Sequence, residues 1–250
     1  MAFMNSAVHI QHLEFKYTHH SAFTIHDLNL VIEQGERFGL FGPNGAGKTT
    51  LMNLMTGLRE IHSGSITLLN QEMAKRKKEI FKLFGYVPQD FAFYQELSPR
   101  ENLEFFGAWY GLHSSKIRKR TDELMDILGL NEYRNQRVQE FSGGMKRRVN
   151  LAIAVMHHPK ILFLDEPTVG VDVQTRHAII SYLKSLNESG TTLIYTSHQL
   201  AEAEELCEKI ALMDEGKILV HDSLSHLLTK HKEEGLEGLF LKLTGKAFRD

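Results

Sequence analysis

"GPNGAGKT", Gly42 to Thr49, follows the short apolar run "RFGLF" and precedes "TLMNLMTGL", which has helical spacing. The pattern G-x-x-x-x-G-K-[ST] between a strand and a helix predicts a phosphate-binding loop. Gly42, Gly45 and Gly47 let the backbone curl until successive N–H groups point at phosphate oxygens. Pro43, Asn44 and Ala46 fill out the loop, and Thr50 enters the helix, whose N-terminus adds a favourable dipole. In this chemistry Lys48 reaches the β- and γ-phosphates of a nucleotide and Thr49 ligates Mg²⁺. A glycine-rich turn is the plain alternative, and the strand and helix on either side count against it.

Outward from the loop, "HIQHLEFKYT" and "HDLNLVIEQGE" alternate apolar and polar residues and read as strands. "GSITLLNQ" and "LFGYVPQD" follow as further strands, the second ended by proline and a polar pair. From Pro99 to about His158 the pattern is helical, with Ser98 as a plausible cap before "PRENLEFFGAWYGL". Strands return in "KILFLDE", "TTLIYTSH" and the hairpin-like "IALMDEGKILV", with helices between them. Strand and helix in alternation, with near-continuous apolar strands, predict a parallel sheet covered on both faces. The chain therefore reads as an α/β nucleotide-binding core with a helical insertion at about 90–158.

"ILFLDEP" is an apolar strand ending in two acids, Asp165 and Glu166. Ionised carboxylates at the end of a buried strand are costly unless they have a cation or a polar task. Asp165 suits a Mg²⁺ site through water, and Glu166 suits polarising an attacking water. Solvated acids at a strand end are the alternative.

Composition bounds the rest. The 250 residues carry a net charge of −2, which argues against a broad nucleic-acid footprint, so no nucleic-acid partner is expected. Cys207 is alone, which precludes an internal disulfide and suits a small packing role. The pairs His19-His20 and His157-His158 lack the spacing that puts two metal ligands on one helix face. No apolar run approaches the roughly 20 residues that span a bilayer, and the N-terminus lacks a signal-peptide layout, so a cytoplasmic chain is expected.

A second Ser-Gly-Gly lies in "FSGGMKRRV", Phe141 to Val149. Ser142 can cap the helix that follows, and Gly143 and Gly144 allow close backbone approach. Lys146, Arg147 and Arg148 read as a solvated helix face.

"GPNGAGKT", "FSGGM", "ILFLDEP", "VGVD" and "TSH" stand in the order found in ATP-binding subunits of ABC transporters, and the chain resembles that family over nearly its whole length. The resemblance implies a P-loop NTPase core with a mostly parallel central sheet, an N-terminal antiparallel β part and an inserted helical subdomain. It places the ATPase domain at 1–222 and a short extension at 223–250, whose charged "TKHKEEGLEG" reads as a linker. Tyr17 is similar to the family's aromatic adenine platform, with a strand aromatic in a core as the alternative. Gln89 resembles the glutamine that touches Mg²⁺ and the lytic water. Asp172 matches the loop between two nucleotide domains, and His198 matches the histidine that contacts the γ-phosphate. Ser142, Gly143 and Gly144 would then close the ATP held by another copy, giving a head-to-tail homodimer around ATP and Mg²⁺.

The family's signature normally ends in glutamine, and here Met145 stands in its place. The Phe141 and Met145 variant resembles a branch in which ATPase and permease are separate chains, as in drug-resistance, sugar and sodium exporters. The resemblance thus implies a Mg-ATP-hydrolysing subunit at the cytoplasmic face of the membrane, partnered by integral permease subunits. Phe91, Phe93 and Tyr94 are the expected contact surface, with core packing as the alternative. A soluble ATPase of the same superfamily, acting on ribosomes or DNA, is the competing class. The single copy of each motif and the short insertion disfavour it. A regulatory binder that does not cleave ATP is the third class, disfavoured by Glu166 and His198.

Overall fold

A computed structural model describes residues 5–18, 24–75, 77–197 and 200–245. The alternating N-terminal segments form β1 (Ser6–Phe15) and β2 (Ile25–Glu33), and β3 (Arg37–Phe41) leads through the phosphate loop into α1 (Lys48–Met55). β4 (Ser63–Leu68), the short β5 (Gln71–Glu72), α2 (Lys77–Ile80) and β6 (Phe84–Val87) follow. Every described element between 88 and 160 is helical: α3 (Pro99–Trp109), α4 (Ser114–Ile127), two 3₁₀ turns and α5 (Gly143–Val155). β7 (Ile161–Asp165), α6 (Val173–Glu188), β8 (Thr192–Thr196), α7 (Leu200–Leu206), β9 (Lys209–Asp214) and β10 (Lys217–Ser223) return to alternation. The chain then runs into α8 (Leu224–His231) and α9 (Leu236–Thr244).

Among the described residues the strands form two sheets. One is antiparallel, in the order β2-β1-β4-β5. The other has the order β10-β9-β3-β8-β7-β6 and is parallel throughout except at its β10 edge. Because side chains alternate across a strand, each apolar run feeds two cores. Leu162, Leu164, Leu193 and Tyr195 pack on the face covered by α5 and α6. Ile161, Phe163 and Ile194 pack on the other, with α1 and the antiparallel sheet. Burial of one such side chain, Phe163 for example, contributes about 2–3 kcal/mol. Gly85 lets β6 lie directly on α5, since a Cβ there would meet Ala154 O at 2.1 Å.

Ser98 caps α3 as expected, accepting from Glu101 N at 3.3 Å while the Glu101 carboxylate accepts from Ser98 N at 2.8 Å. The linker expected in "TKHKEEGLEG" is corrected. α8 runs through His231, only residues 232–235 break the helices, and α9 starts at Leu236. Lys232 ends α8 in the left-handed conformation, at φ 56°. Leu227, Leu236 and Leu239 are buried with Leu206 at the end of α7, and Phe240 is buried as well, so the charges conceal two amphipathic turns. Cys207 is buried, and burial pushes its thiol well above the usual range, which leaves it a packing residue.

Candidate functional site

The buried β3 delivers the chain to Gly42, and α1 opens at Lys48 with Gly47 as its N-cap. No side chain caps this helix, so its first N–H groups are left for a ligand. Gly42 is held against β9, where a Cβ would meet Met213 O at 2.0 Å, and Gly47 adopts φ 104°. Pro43 supplies a carbonyl to Ala46 N at 3.1 Å, and Ala46 turns its methyl into the core. Gly42, Pro43 and Ala46 thus frame the loop, while Asn44, Gly45, Gly47, Lys48, Thr49 and Thr50 line the cleft it faces.

That cleft has a volume of about 1000 Å³. Tyr17 lies on its wall, donating to or accepting from Thr50 Oγ1 at 3.1 Å, with Phe15 edge-on at 5.0 Å and the Arg59 guanidinium 5.3 Å from its ring centre. Its ring also packs partly against the core, as the strand-aromatic reading expects, while its edge on the cleft leaves the adenine-platform reading to the proposal below. Lys48 is nearly buried, and its Nζ donates to the carbonyls of Gly42 at 2.7 Å and Pro43 at 3.1 Å. Desolvation lowers its pKa, against the opposing pull of Glu166 and Asp165.

Glu166 faces the same cleft and has a left-handed backbone, φ 51°, rare for a residue with a side chain. Gln89 Nε2 donates to Glu166 Oε2 at 3.1 Å, joining two residues that sequence reasoning names separately. Glu166 N donates to Thr196 O at 3.2 Å, and Thr196 Oγ1 donates to Asp165 Oδ1 at 2.6 Å, so β8 fixes both acids.

Asp165 is 1% exposed, and burial raises its carboxyl pKa, with Thr196 acting against the rise. The Thr49 hydroxyl lies close enough to pull it down as well, yet Oδ2 meets no donor of ordinary hydrogen-bond geometry. An acid oxygen left without a partner beside a threonine hydroxyl and a lysine suits a hard divalent cation held by oxygen ligands or their waters. The residues present therefore fit Mg²⁺.

Ser142, Gly143 and Gly144 do not line this cleft. Ser142 caps α5, accepting from Met145 N at 3.3 Å, and stays exposed with Gly143. Gly144 abuts the first turn of α6, where a Cβ would sit 3.6 Å from Asp172 Oδ2. Asp172 itself caps α6, accepting from Thr175 N at 2.8 Å and from Thr175 Oγ1 at 2.7 Å, and these bonds lower its pKa. Met145 is half-buried against the larger core, where a thioether is at home.

His198 lies outside the described residues, as do His19 and His20. His157 is a packing residue, stacked on Tyr110 at 3.7 Å and bonded to Phe84 O at 3.0 Å.

The expected solvated face at Lys146, Arg147 and Arg148 is corrected. Arg147 is 7% exposed, and its Nη1 donates to Gln89 O, with the guanidinium 4.9 Å from the Phe91 ring centre. Arg148 donates to Leu128 O at 3.2 Å and to Thr175 Oγ1 at 3.3 Å. A guanidinium with five donors can satisfy carbonyls that end or interrupt regular structure, which charge alone does not reveal.

Phe91 and Phe93 are half-buried, but Tyr94 is exposed and stacks edge-on with Phe105 at 4.9 Å. Phe105 and Trp109, the latter 77% exposed, extend this aromatic surface along α3 at i, i+4 spacing, a signal available in "FFGAW". The β9–β10 turn, with Asp214, Glu215 and Lys217, also lines the cleft. No local signal places it there, because it arrives only through the pairing of β3 with β9.

The family model described as "ABC transporter" matches residues 25–169. The linearmycin resistance ATP-binding protein LnrL of Bacillus subtilis is 42% identical over 207 residues, covering 81% of this chain and 65% of the relative. A Nod factor export ATP-binding protein I of Cupriavidus pinatubonensis is 41% identical, covering 77% of this chain and 59% of the relative. The chain thus spans less than two thirds of the length of these two relatives. A solved ATP-binding subunit of an ABC transporter superposes with TM-score 0.88 at 26% identity, covering 96% of this chain and all of that one. A dimeric ATP-binding cassette bound to ADP and Pi does so with TM-score 0.80 at 26% identity, covering 87% and 98%. Motifs, geometry and relatives agree, and the chain belongs to the ABC transporter family.

Proposed function

We propose that this chain hydrolyses ATP with Mg²⁺, pairs head to tail with a second copy, and drives an integral membrane permease in the export direction. The observation that carries the reading is the Gln89–Glu166 hydrogen bond on the rim of the cleft that Lys48 also lines. It sets a carboxylate and an amide side by side where a γ-phosphate held by the loop would meet water.

Lys48 and the N–H groups of Gly45, Gly47 and α1 bind the phosphates, with Asn44, Thr49 and Thr50 around them. Tyr17 supports the adenine ring by stacking, worth about 1–3 kcal/mol. Thr49, Gln89 and, through water, Asp165 would hold Mg²⁺, which would supply positive charge to the phosphates. Glu166 accepts a proton from the attacking water, Gln89 orients that water, and His198 contacts the γ-phosphate.

Ser142, Gly143 and the buried Gly144 form a helix N-terminus, exposed at its first two residues, that does not line the chain's own cleft. That placement supports their serving the ATP of a partner copy, with Asp172 in the loop between the two. The dimeric cassette bound to ADP and Pi supports pairing of two copies around nucleotide. Relatives named for resistance and export support the direction of transport. Among the described residues no helix is long and apolar enough to cross a membrane; in this reading the permease holds the chain at the cytoplasmic face of the membrane. Tyr94, with Phe105 and Trp109, is the surface offered to it.

The test is turnover of Mg-ATP by the purified chain. Hydrolysis that Glu166→Gln abolishes, with an ATP-dependent dimer retained in that variant, supports the proposal. No turnover above Lys48→Ala, alone or with the permease, sinks it.

A further inference from the structure

Glu202, in α7, is 3% exposed and has no part in the chemistry described so far. A buried carboxylate is costly unless it is well satisfied. Its Oε2 accepts from Thr168 Oγ1 at 2.5 Å and from Tyr195 OH at 2.6 Å. Its Oε1 accepts no hydrogen bond, but Arg176 Nη1 stands 3.8 Å away.

These three partners bracket one loop. Thr168 lies two residues after Glu166, and Arg176 lies in the first turn of α6, its N–H donating to Asp172 O at 2.9 Å. Tyr195 precedes Thr196, the residue that bonds both Asp165 and Glu166 N. One carboxylate therefore touches the loop just past the hydrolytic acid, the helix capped by Asp172, and the strand that fixes both acids. Burial, followed by the Glu202 charge, holds the Tyr195 phenol far above its usual pKa, so it stays a donor.

We propose that Glu202 is a positioning residue for ATP hydrolysis: through Thr168, Tyr195 and Arg176 it locks residues 166–172 to β8, so that Glu166 and Asp172 move as one body. Glu166 meets the chain's own ATP and Asp172 lies in the loop between copies, so the lock transmits dimer closure to the lytic carboxylate. This rests on the function proposed above.

The experiment compares Glu202→Gln, Thr168→Val and their double variant with the wild-type chain. Glu202→Gln keeps the shape but loses the charge facing Arg176, and Thr168→Val loses the hydroxyl. Thermal unfolding, affinity for a fluorescent ATP analogue, kcat and KM are read for each. The expected result is a fall in kcat of about tenfold with KM and affinity within about twofold. The double variant should lose less than the product of the two single losses, because both remove contacts of the same carboxylate.

In the Glu166→Gln background, Glu202→Gln should weaken the ATP-dependent dimer. That readout needs no turnover, so it separates failure of this inference from failure of the proposed function. Wild-type kcat in folded Glu202→Gln and Thr168→Val overturns the inference. So does a loss of kcat that merely follows a lowered Tm, or two losses that multiply independently. If Glu202→Gln does not fold, Thr168→Val and Tyr195→Phe decide by the same kcat and KM split.

Discussion

Gln89 Nε2 donates to Glu166 Oε2 over 3.1 Å, although the two residues stand 77 apart in sequence. β6 and β7 are parallel neighbours, so their C-terminal ends emerge at one edge and bring the pair together. Glu166→Gln keeps this contact's shape and removes the base. Its kcat should fall by about 10²–10⁴-fold with ATP affinity retained, as measured by phosphate release and equilibrium binding. Equal loss of binding and turnover would show that the carboxylate serves the nucleotide rather than the water.

Lys48→Ala should act in the opposite way. It removes charge-assisted hydrogen bonds worth about 1.5–3 kcal/mol each, so ATP affinity should drop by about tenfold or more. Equilibrium binding of labelled ATP checks this. Unchanged affinity would remove Lys48 from the phosphate site.

Met145→Gln restores the family's usual residue, yet the structure predicts a loss. The half-buried thioether packs on the core, and an amide there costs about 1 kcal/mol unless it finds partners. The urea midpoint should fall while ATP turnover holds steady. Raised turnover would mean that the amide reaches nucleotide.

His157 makes stability pH-dependent. Burial lowers its pKa from 6.5 to about 4, against the raising effect of the bond to Phe84 O. The folded chain therefore prefers neutral imidazole, and the unfolded chain takes up a proton first as pH falls. The contribution is whole above pH 6.5 and is lost progressively down to about pH 4, amounting to at most about 3 kcal/mol. Urea unfolding at several pH values should show this slope, and His157→Phe should flatten it.

Phe240→Ala tests the C-terminal helices. The ring is 1% exposed, and its removal should destabilise the chain by about 3–5 kcal/mol. A change within experimental error would mean that α9 is dispensable to the fold.

The alternation of β1, the apolar run of β7 and the glycines around Lys48 were readable because each follows from local backbone chemistry. Arg147 was not, because its burial depends on Gln89 O arriving from a loop 58 residues earlier. The helices α8 and α9 were hidden because charged residues crowd the break between them, while Leu236 and Leu239 join the core and Phe240 is buried. Glu202 is one of three acids in "AEAEEL", and only the turn of α7 onto Thr168 and Tyr195 distinguishes it.

The tie from Arg147 to Gln89 O bears on timing. Arg147 belongs to the helix that starts at Ser142, so the loop bearing Gln89 and the exposed end of α5 are bolted to each other. Under the proposed roles, Gln89 watches one ATP while Ser142 grips another. A shift at residue 89 would then reach the opposite nucleotide along that tie, linking the timing of the two hydrolysis events of a pair.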